Sequence, residues 1–139
     1  MRKLLPLLLL VFLAASGCQS THERTDAIQP LPESLPPPPY PELLSRARAQ
    51  ATFATEAFFV NNWEELATAA GSLEQTARQI SRTGETPTIP RATVLTASSE
   101  LNRDAGKLKE AALAKNETET NSILQRIHLR IRELRTGQE

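Results

Sequence analysis

Two side chains in this sequence belong to the types that carry out chemistry. Cys18 is the only cysteine among 139 residues, and His128 is one of two histidines. A thiol can be alkylated or oxidised, and an imidazole can move a proton or bind a metal near neutral pH. The motifs that build an active site around such groups, such as Gly-x-Ser-x-Gly, a glycine-rich phosphate loop or paired Glu-x-x-His, are absent from the sequence. The sequence therefore predicts that this protein is not an enzyme.

The surroundings of Cys18 indicate what its thiol does. The positive start Arg2-Lys3 precedes an apolar run over residues 4–15, and small residues then lead into Cys18. This order is typical of a secretory signal peptide, and the run is shorter than the ~20 residues that span a bilayer. The tetrapeptide ASGC resembles the lipobox of bacterial lipoproteins. The resemblance implies a signal peptide over residues 1–17 and a diacylglyceryl group on Cys18, and an ordinary secreted protein with an unmodified cysteine is the alternative.

Lipidation of Cys18 makes the lipid bilayer the first expected partner. A single acyl chain binds a bilayer only marginally, whereas two or more hold firmly, and the lipoprotein resemblance implies at least two. With its one thiol alkylated, the mature chain forms no disulfide. Gln19, at a position where Asp retains lipoproteins in the inner membrane, resembles the outer-membrane sorting class of Gram-negative bacteria. We therefore expect a lipid-anchored protein of the cell membrane or outer membrane that faces the periplasm.

Residues 18–41 form a proline-rich segment after the signal peptide. Seven of the ten prolines lie between Pro30 and Pro41, and such a run favours the extended polyproline II conformation. At ~3.1 Å per residue, the chain from Gln19 to Pro41 can hold a domain up to ~70 Å from the lipid surface. We predict a lipidated cysteine followed by a spacer. Recognition of the segment by an aromatic-lined groove is the alternative.

Residues 42–139 are sufficient for a single domain. Their basic and acidic side chains balance, so the domain lacks the basic excess of a nucleic-acid surface, and no nucleic-acid partner is expected. Alanine is abundant, and alternating clusters of β-branched and aromatic residues are absent. This composition favours helices.

Four stripes of apolar and small residues recur at steps of three and four in this domain, as in the seams of a helical bundle. Asn62 and Asn116, each followed by glutamate three residues later, are typical helix N-caps. Short first and third connections force antiparallel neighbours, so the sequence predicts an all-α, up-down-up-down four-helix bundle. The predicted core stripes are Leu44, Ala47, Ala51, Ala54 and Phe58; Trp63, Leu66, Ala70, Leu73, Ala77 and Ile80; Val94, Ser98, Leu101, Ala105, Leu108 and Ala112; and Leu124, Ile127, Ile131 and Leu134.

The text LQRIHLRIRELR around His128, on the predicted fourth helix, resembles the four-helix cytochrome c prime family. The resemblance implies a bundle whose last helix supplies a haem-binding histidine. The two cysteines that would attach a haem covalently are replaced by Leu124 and Ile127, and the only methionine, Met1, leaves with the signal peptide. His128 followed by Arg132 matches the non-covalent, b-type members. A histidine that donates to a neighbouring carbonyl or carboxylate is the alternative.

Two further features of the predicted bundle are an aromatic pair and two glycines within helices. Phe59 and Trp63 lie four residues apart, so they either pack together as a hydrophobic staple or form an exposed patch that docks a protein partner. Gly71 and Gly106 fall within predicted helices, where glycine costs ~1 kcal/mol relative to alanine. Such a cost is offset where two helices approach closely, and we expect close approach at both positions.

Two functions from different classes fit these observations. The first is a non-enzymatic binding or scaffold module of the cell envelope, without a cofactor and with an envelope protein as partner. The second is a haem b protein for electron transfer or sensing that uses His128 and Arg132. Metal sensing through carboxylates and His128 is a third option.

Overall fold

The computed structural model describes residues 26, 28–84 and 88–135. Four helices account for most of this part of the chain: α1 (Tyr40–Phe59), α2 (Trp63–Arg82), α3 (Arg91–Leu113) and α4 (Glu117–Arg135). The described residues contain no strand. Consecutive helices pack side by side, and α1 and α4 close the ring. The predicted all-α, up-down-up-down antiparallel four-helix bundle is confirmed.

The core lies where the apolar stripes predicted it. The smallest core residues are alanines such as Ala47, Ala51 and Ala54, each with 0% of its surface exposed. Every residue of the predicted stripes is buried except Phe58 and Trp63, which are half-buried and pack against the core from one end of the bundle. These alanines pack together with large aliphatic side chains such as Leu73, Ile80 and Leu101, also 0% exposed, so the hydrophobic stabilisation comes from both small and large side chains.

The α1–α2 and α3–α4 loops share one backbone design. Asn61 and Lys115 adopt the left-handed conformation, with φ of 57° and 52°. The N–H of the next residue, Asn62 or Asn116, donates to the carbonyl five residues earlier, at 2.8 and 2.9 Å, as in a Schellman motif. The Oδ1 of the same asparagine accepts from the N–H three residues later, at 3.2 and 3.1 Å. One asparagine thus closes one helix and caps the next, and both predicted N-caps are confirmed.

The bundle consists of two helical hairpins with the same register of buried positions. Buried residues of the α1–α2 hairpin recur 54 residues later in the α3–α4 hairpin. Most pairs differ in residue type, so the repeat is one of packing rather than of sequence. The paired positions are Tyr40 and Val94, Leu43 and Ala97, Leu44 and Ser98, Ala47 and Leu101, Gln50 and Asp104, Ala51 and Ala105, Ala54 and Leu108, Ala57 and Ala111, Leu66 and Thr120, Ala69 and Ile123, Ala70 and Leu124, Leu73 and Ile127, Ala77 and Ile131, and Ile80 and Leu134.

The proline-rich segment is not a free spacer throughout. The side-chain amide of Gln75 on α2 pairs with both backbone groups of Leu31: Leu31 N–H donates to Oε1 at 2.8 Å, and Nε2 donates to the Leu31 carbonyl at 2.7 Å. Ser72, three residues away on α2, donates its hydroxyl to the Ile28 carbonyl at 2.7 Å. The part of the predicted linker that includes Ile28 and Leu31 is therefore docked along α2, because these polar side chains satisfy its backbone.

This docking shortens the distance that the linker can span. The first helix, α1, begins at Tyr40, within the predicted linker. Ile28 lies beside Ser72 in the middle of α2, so the chain between Ile28 and Tyr40 runs along the bundle before it turns into α1. Only residues 19–27 then separate Cys18 from the first docked residue, and their fully extended length is ~30 Å. The ~70 Å predicted from the whole linker is an overestimate, since residues 28–41 run back along the domain.

Tyr40 ties the start of the first helix to the end of the last. Its side chain is 1% exposed, and its hydroxyl donates to the carbonyl of Leu134 at 2.7 Å. Burial raises the pKa of the Tyr40 phenol to about 12. The residue was assigned to the linker from sequence, yet it is part of the core.

The expectation of close helix approach at the two helical glycines is wrong. A Cβ atom added to Gly71 or Gly106 would have no other atom within 4 Å. Both glycines therefore leave open space on the bundle surface. Their backbone cost is not offset by packing.

Candidate functional site

Cys18, the predicted lipidation site, lies outside the described residues. Its modification therefore remains a prediction from the sequence. None of the helices within the described residues is both long and apolar enough to cross a bilayer.

His128 lies on the exposed side of α4 and is held by α1. Its Nε2 is 3.0 Å from the hydroxyl of Thr55, and that hydroxyl is 2.9 Å from the carbonyl of Ala51. A hydroxyl has one hydrogen, and the carbonyl can only accept, so Thr55 donates to Ala51 and accepts from Nε2–H. Nδ1 then carries the only lone pair of the neutral imidazole. The acceptor is a hydroxyl, where the sequence suggested a carbonyl or carboxylate.

This arrangement does not fit a haem on His128. An imidazole binds iron through a nitrogen lone pair, and while Nε2 donates to Thr55 only Nδ1 offers one. The neighbouring interior positions, Ile127 and Ala51, are fully buried at 0% exposure, so packed side chains fill the space that a macrocycle beside His128 would need. Within the described residues, no group of three or more His, Cys, Asp or Glu side chains could hold a metal ion.

His128 and Arg132 do lie together, in a groove between α1 and α4. The groove encloses about 240 Å³ and is open to solvent. Its basic residues come from both helices, and none of the six residues that line it is acidic. We call it the α1–α4 groove; its lining residues are Arg48, Thr52, His128, Ile131, Arg132 and Arg135.

The second predicted site, the aromatic patch, has a different composition from that expected. Phe58, not Phe59, packs on Trp63, with ring centroids 5.9 Å apart and an edge-to-face angle of 74°. Phe59 contacts Phe58 at 5.9 Å but is 75% exposed. The expected staple of Phe59 on Trp63 is therefore not formed. Phe59 instead projects from the loop end of the bundle together with Val60, which is 71% exposed.

A larger groove begins at Trp63 and runs between α2 and α3. It has a volume of about 700 Å³, and Pro30 of the docked linker forms one of its walls. We call it the α2–α3 groove. Its apolar lining consists of Pro30, Trp63, Ala67, Gly71, Ala112 and Leu113, and its polar lining of Glu64, Thr68, Ser72, Gln75, Arg78, Lys109 and Lys115.

Leu113 marks the open side of the α2–α3 groove. It is 70% exposed, although it ends a helix whose other leucines at core positions are buried. Lys109 and Lys115 lie on the same side and Glu64 on the opposite helix, so the groove combines an apolar floor with a mainly basic rim. Such a surface can bind an apolar segment that carries acidic groups.

Sequence reasoning missed three residues of these sites: Arg48, Phe58 and Gln75. Arg48 and Thr52 are spaced like His128 and Arg132, but periodicity alone does not reveal which helix faces meet. Phe58 was placed in the core stripe and lies at its end. Gln75 has no distinguishing signal in the sequence, since its role depends on where the linker folds back.

Comparisons of this chain with protein-family models, with curated proteins and with solved structures find no match. The functional argument therefore depends on the residues and their geometry.

Proposed function

We propose that this protein is a lipid-anchored lipoprotein of a bacterial envelope whose helical bundle is a non-enzymatic binding module. The sequence around Cys18 supports the anchor. One structural observation supports the binding role: α2 already holds a peptide segment, the linker, through the side chains of Ser72 and Gln75. The α2–α3 groove continues from that docked segment, and its apolar floor is open.

The partner that fits this groove is an extended segment of an envelope protein, apolar with acidic flanks. Its apolar side chains would bury the exposed surfaces of Trp63 and Leu113. Its acidic flank would face Lys109 and Lys115, which adds orientation and speeds association. This is peptide recognition on a rigid helical surface. The half-buried Trp63 and the 70% exposed Leu113 provide the anchoring contacts.

Site-specific photo-crosslinking in cells tests the groove. A benzophenone amino acid at Leu113 should crosslink a partner protein, and the same amino acid at Leu129, a 48% exposed leucine on α4, is the matched control. A synthetic peptide covering the crosslinked partner segment should change the fluorescence of Trp63, the only tryptophan in the chain. The double variant Lys109→Glu and Lys115→Glu should lower the affinity of the protein for that peptide by about tenfold or more.

The crosslinking results separate three outcomes. Crosslinks of equal yield at Leu113 and Leu129, or none at Leu113, would refute the groove as a binding site. A crosslink to a second copy of this chain would show that the groove mediates self-association and would refute binding of a different envelope protein there. A partner peptide that leaves Trp63 fluorescence unchanged would also count against the proposal.

The anchor has its own test. Cells grown with labelled palmitate should incorporate label into the wild-type chain but not into a Cys18→Ser variant, and the labelled chain should sediment with membranes. Absence of label on the wild-type chain would refute lipidation without affecting the groove.

A further inference from the structure

The α1–α4 groove is formed by two stripes of polar residues with the same spacing. Arg48, Thr52 and Thr55 lie at steps of four and three on α1, and His128, Arg132 and Arg135 lie at the same steps on α4. Steps of four and three place residues on one face of a helix. Because the two helices are antiparallel and Thr55 bonds to His128, the stripes face each other along the groove.

The groove arginines of α4, Arg132 and Arg135, differ from the other two arginines of that helix in their ion pairs. Arg130 donates to both carboxylate oxygens of Glu133, each at 3.1 Å, and lies 3.0 Å from Glu100. The hydrogen bonds that Arg130 donates to the Glu133 carboxylate raise the pKa of Arg130. Arg126 pairs with the buried Asp104 at 3.4 Å. Two α4 arginines thus have acidic partners on the side of α4 that faces α3.

No acidic side chain lines the α1–α4 groove. The described part of the chain contains no ion pair to Arg48, Arg132 or Arg135. Three positive charges therefore share one groove, and no acidic side chain among the described residues forms an ion pair with them. Such an arrangement raises the free energy of the isolated protein through mutual repulsion and lowers it when an anion binds.

The helix dipole accounts for only part of this cluster. Cations near the C-terminal end of a helix are favourable, and Arg132 and Arg135 lie in the last turn of α4. Arg48 lies in the first half of α1, where the dipole gives no such stabilisation. The helix dipole therefore does not explain why the positive charge of Arg48 lies opposite those of Arg132 and Arg135.

We propose that the α1–α4 groove is a binding site for a phosphate group. Arg48, Arg132 and Arg135 supply guanidinium groups, whose planar donors match phosphate oxygens in pairs. Thr52 supplies a hydroxyl at the same level of the groove. The volume of about 240 Å³ admits a phosphate monoester with part of its substituent.

Two sources of this group share its chemistry: a soluble phosphate compound and the headgroup of an anionic phospholipid. The docked linker keeps the bundle within ~30 Å of the lipid surface if Cys18 is anchored. An open groove at the protein surface is accessible to both sources. The experiment therefore has one arm for each.

The test uses the full-length lipidated chain in a neutral detergent, with NMR signals of the His128 ring and of the arginine side chains as the readout. One arm adds inorganic phosphate, with sodium chloride at equal ionic strength as the control. The other arm adds phosphatidic acid in mixed micelles, with phosphatidylcholine as the control. The test variant is Arg48→Gln with Arg132→Gln. The matched control is Arg103→Gln, which removes an exposed arginine on α3.

We expect phosphate or phosphatidic acid to shift the groove signals in a saturable way. The double variant should lose about tenfold or more in affinity, since each arginine contributes a charge-assisted hydrogen bond. The affinity of the Arg103→Gln variant should stay within about twofold of that of the wild type, because salt screens an exposed charge outside the groove. A response to inorganic phosphate identifies a soluble ligand, and a response confined to phosphatidic acid identifies a headgroup.

Three results would overturn the proposal. The first is no saturable shift in either arm. The second is an equal shift with sodium chloride, which would indicate general screening. The third is an equal loss of affinity in the Arg103→Gln control, which would indicate a diffuse charge effect. Far-ultraviolet circular dichroism of each variant verifies that the helices remain intact.

Discussion

Replacing Gln75 by alanine should release the docked linker without unfolding the bundle. The Gln75 amide makes two hydrogen bonds to Leu31, at 2.8 and 2.7 Å, in a half-buried setting. Each such bond contributes about 0.5–1.5 kcal/mol net, so their loss weakens docking by about 1–3 kcal/mol. Ser72 keeps one bond to the linker, and the pair Arg78–Glu33, at 3.8 Å between exposed side chains, adds little.

Amide hydrogen exchange measures this release directly. Peptides covering residues 28–35 should exchange about five- to 150-fold faster in the Gln75→Ala variant, which is the free-energy range above expressed as an equilibrium constant. Exchange in the middle of α3 should not change. Gln125→Ala, at an exposed glutamine on α4, is the matched control. Unchanged exchange over residues 28–35 in Gln75→Ala would refute the docking of the linker through Gln75 and with it the shorter span of the linker.

Four further predictions follow from the packing. Leu73→Asp or Leu101→Asp should unfold the domain, as measured by circular dichroism, because each buries an unpaired charge at a position with 0% exposure. Gly106→Ala should raise the free energy of unfolding by about 1 kcal/mol in a urea titration, since the added methyl meets open space. Tyr40 has a folded pKa of about 12, above its unfolded value of 10.0. Its contribution to stability should be complete below pH 10.0 and decline as the pH rises towards 12, and Tyr40→Phe should abolish this dependence in denaturation measurements. Haemin should give no Soret shift that His128→Ala removes, because the buried side chains of Ile127 and Ala51 fill the interior beside His128.

The candidate sites could be predicted from sequence only one residue at a time. His128 and Arg132 were singled out, and they do share a groove, but Arg48 completes it from a helix distant in sequence. Phe59 and Trp63 were expected to share one patch, whereas Phe58 lies between them in space. A helical pattern specifies which residues share a face. It does not specify which face lies opposite or how side chains rotate.

The amino-acid sequence by itself determined the helices, their caps and their buried faces. Steps of three and four residues define one apolar stripe per helix, and an asparagine followed by glutamate defines the N-caps of α2 and α4, because both patterns are local in the chain. Only the tertiary structure decided where the proline-rich segment lies and which basic residues meet. Those contacts join residues far apart in the chain, such as Leu31 with Gln75 and Thr55 with His128, and their free energy depends on how the helices pack.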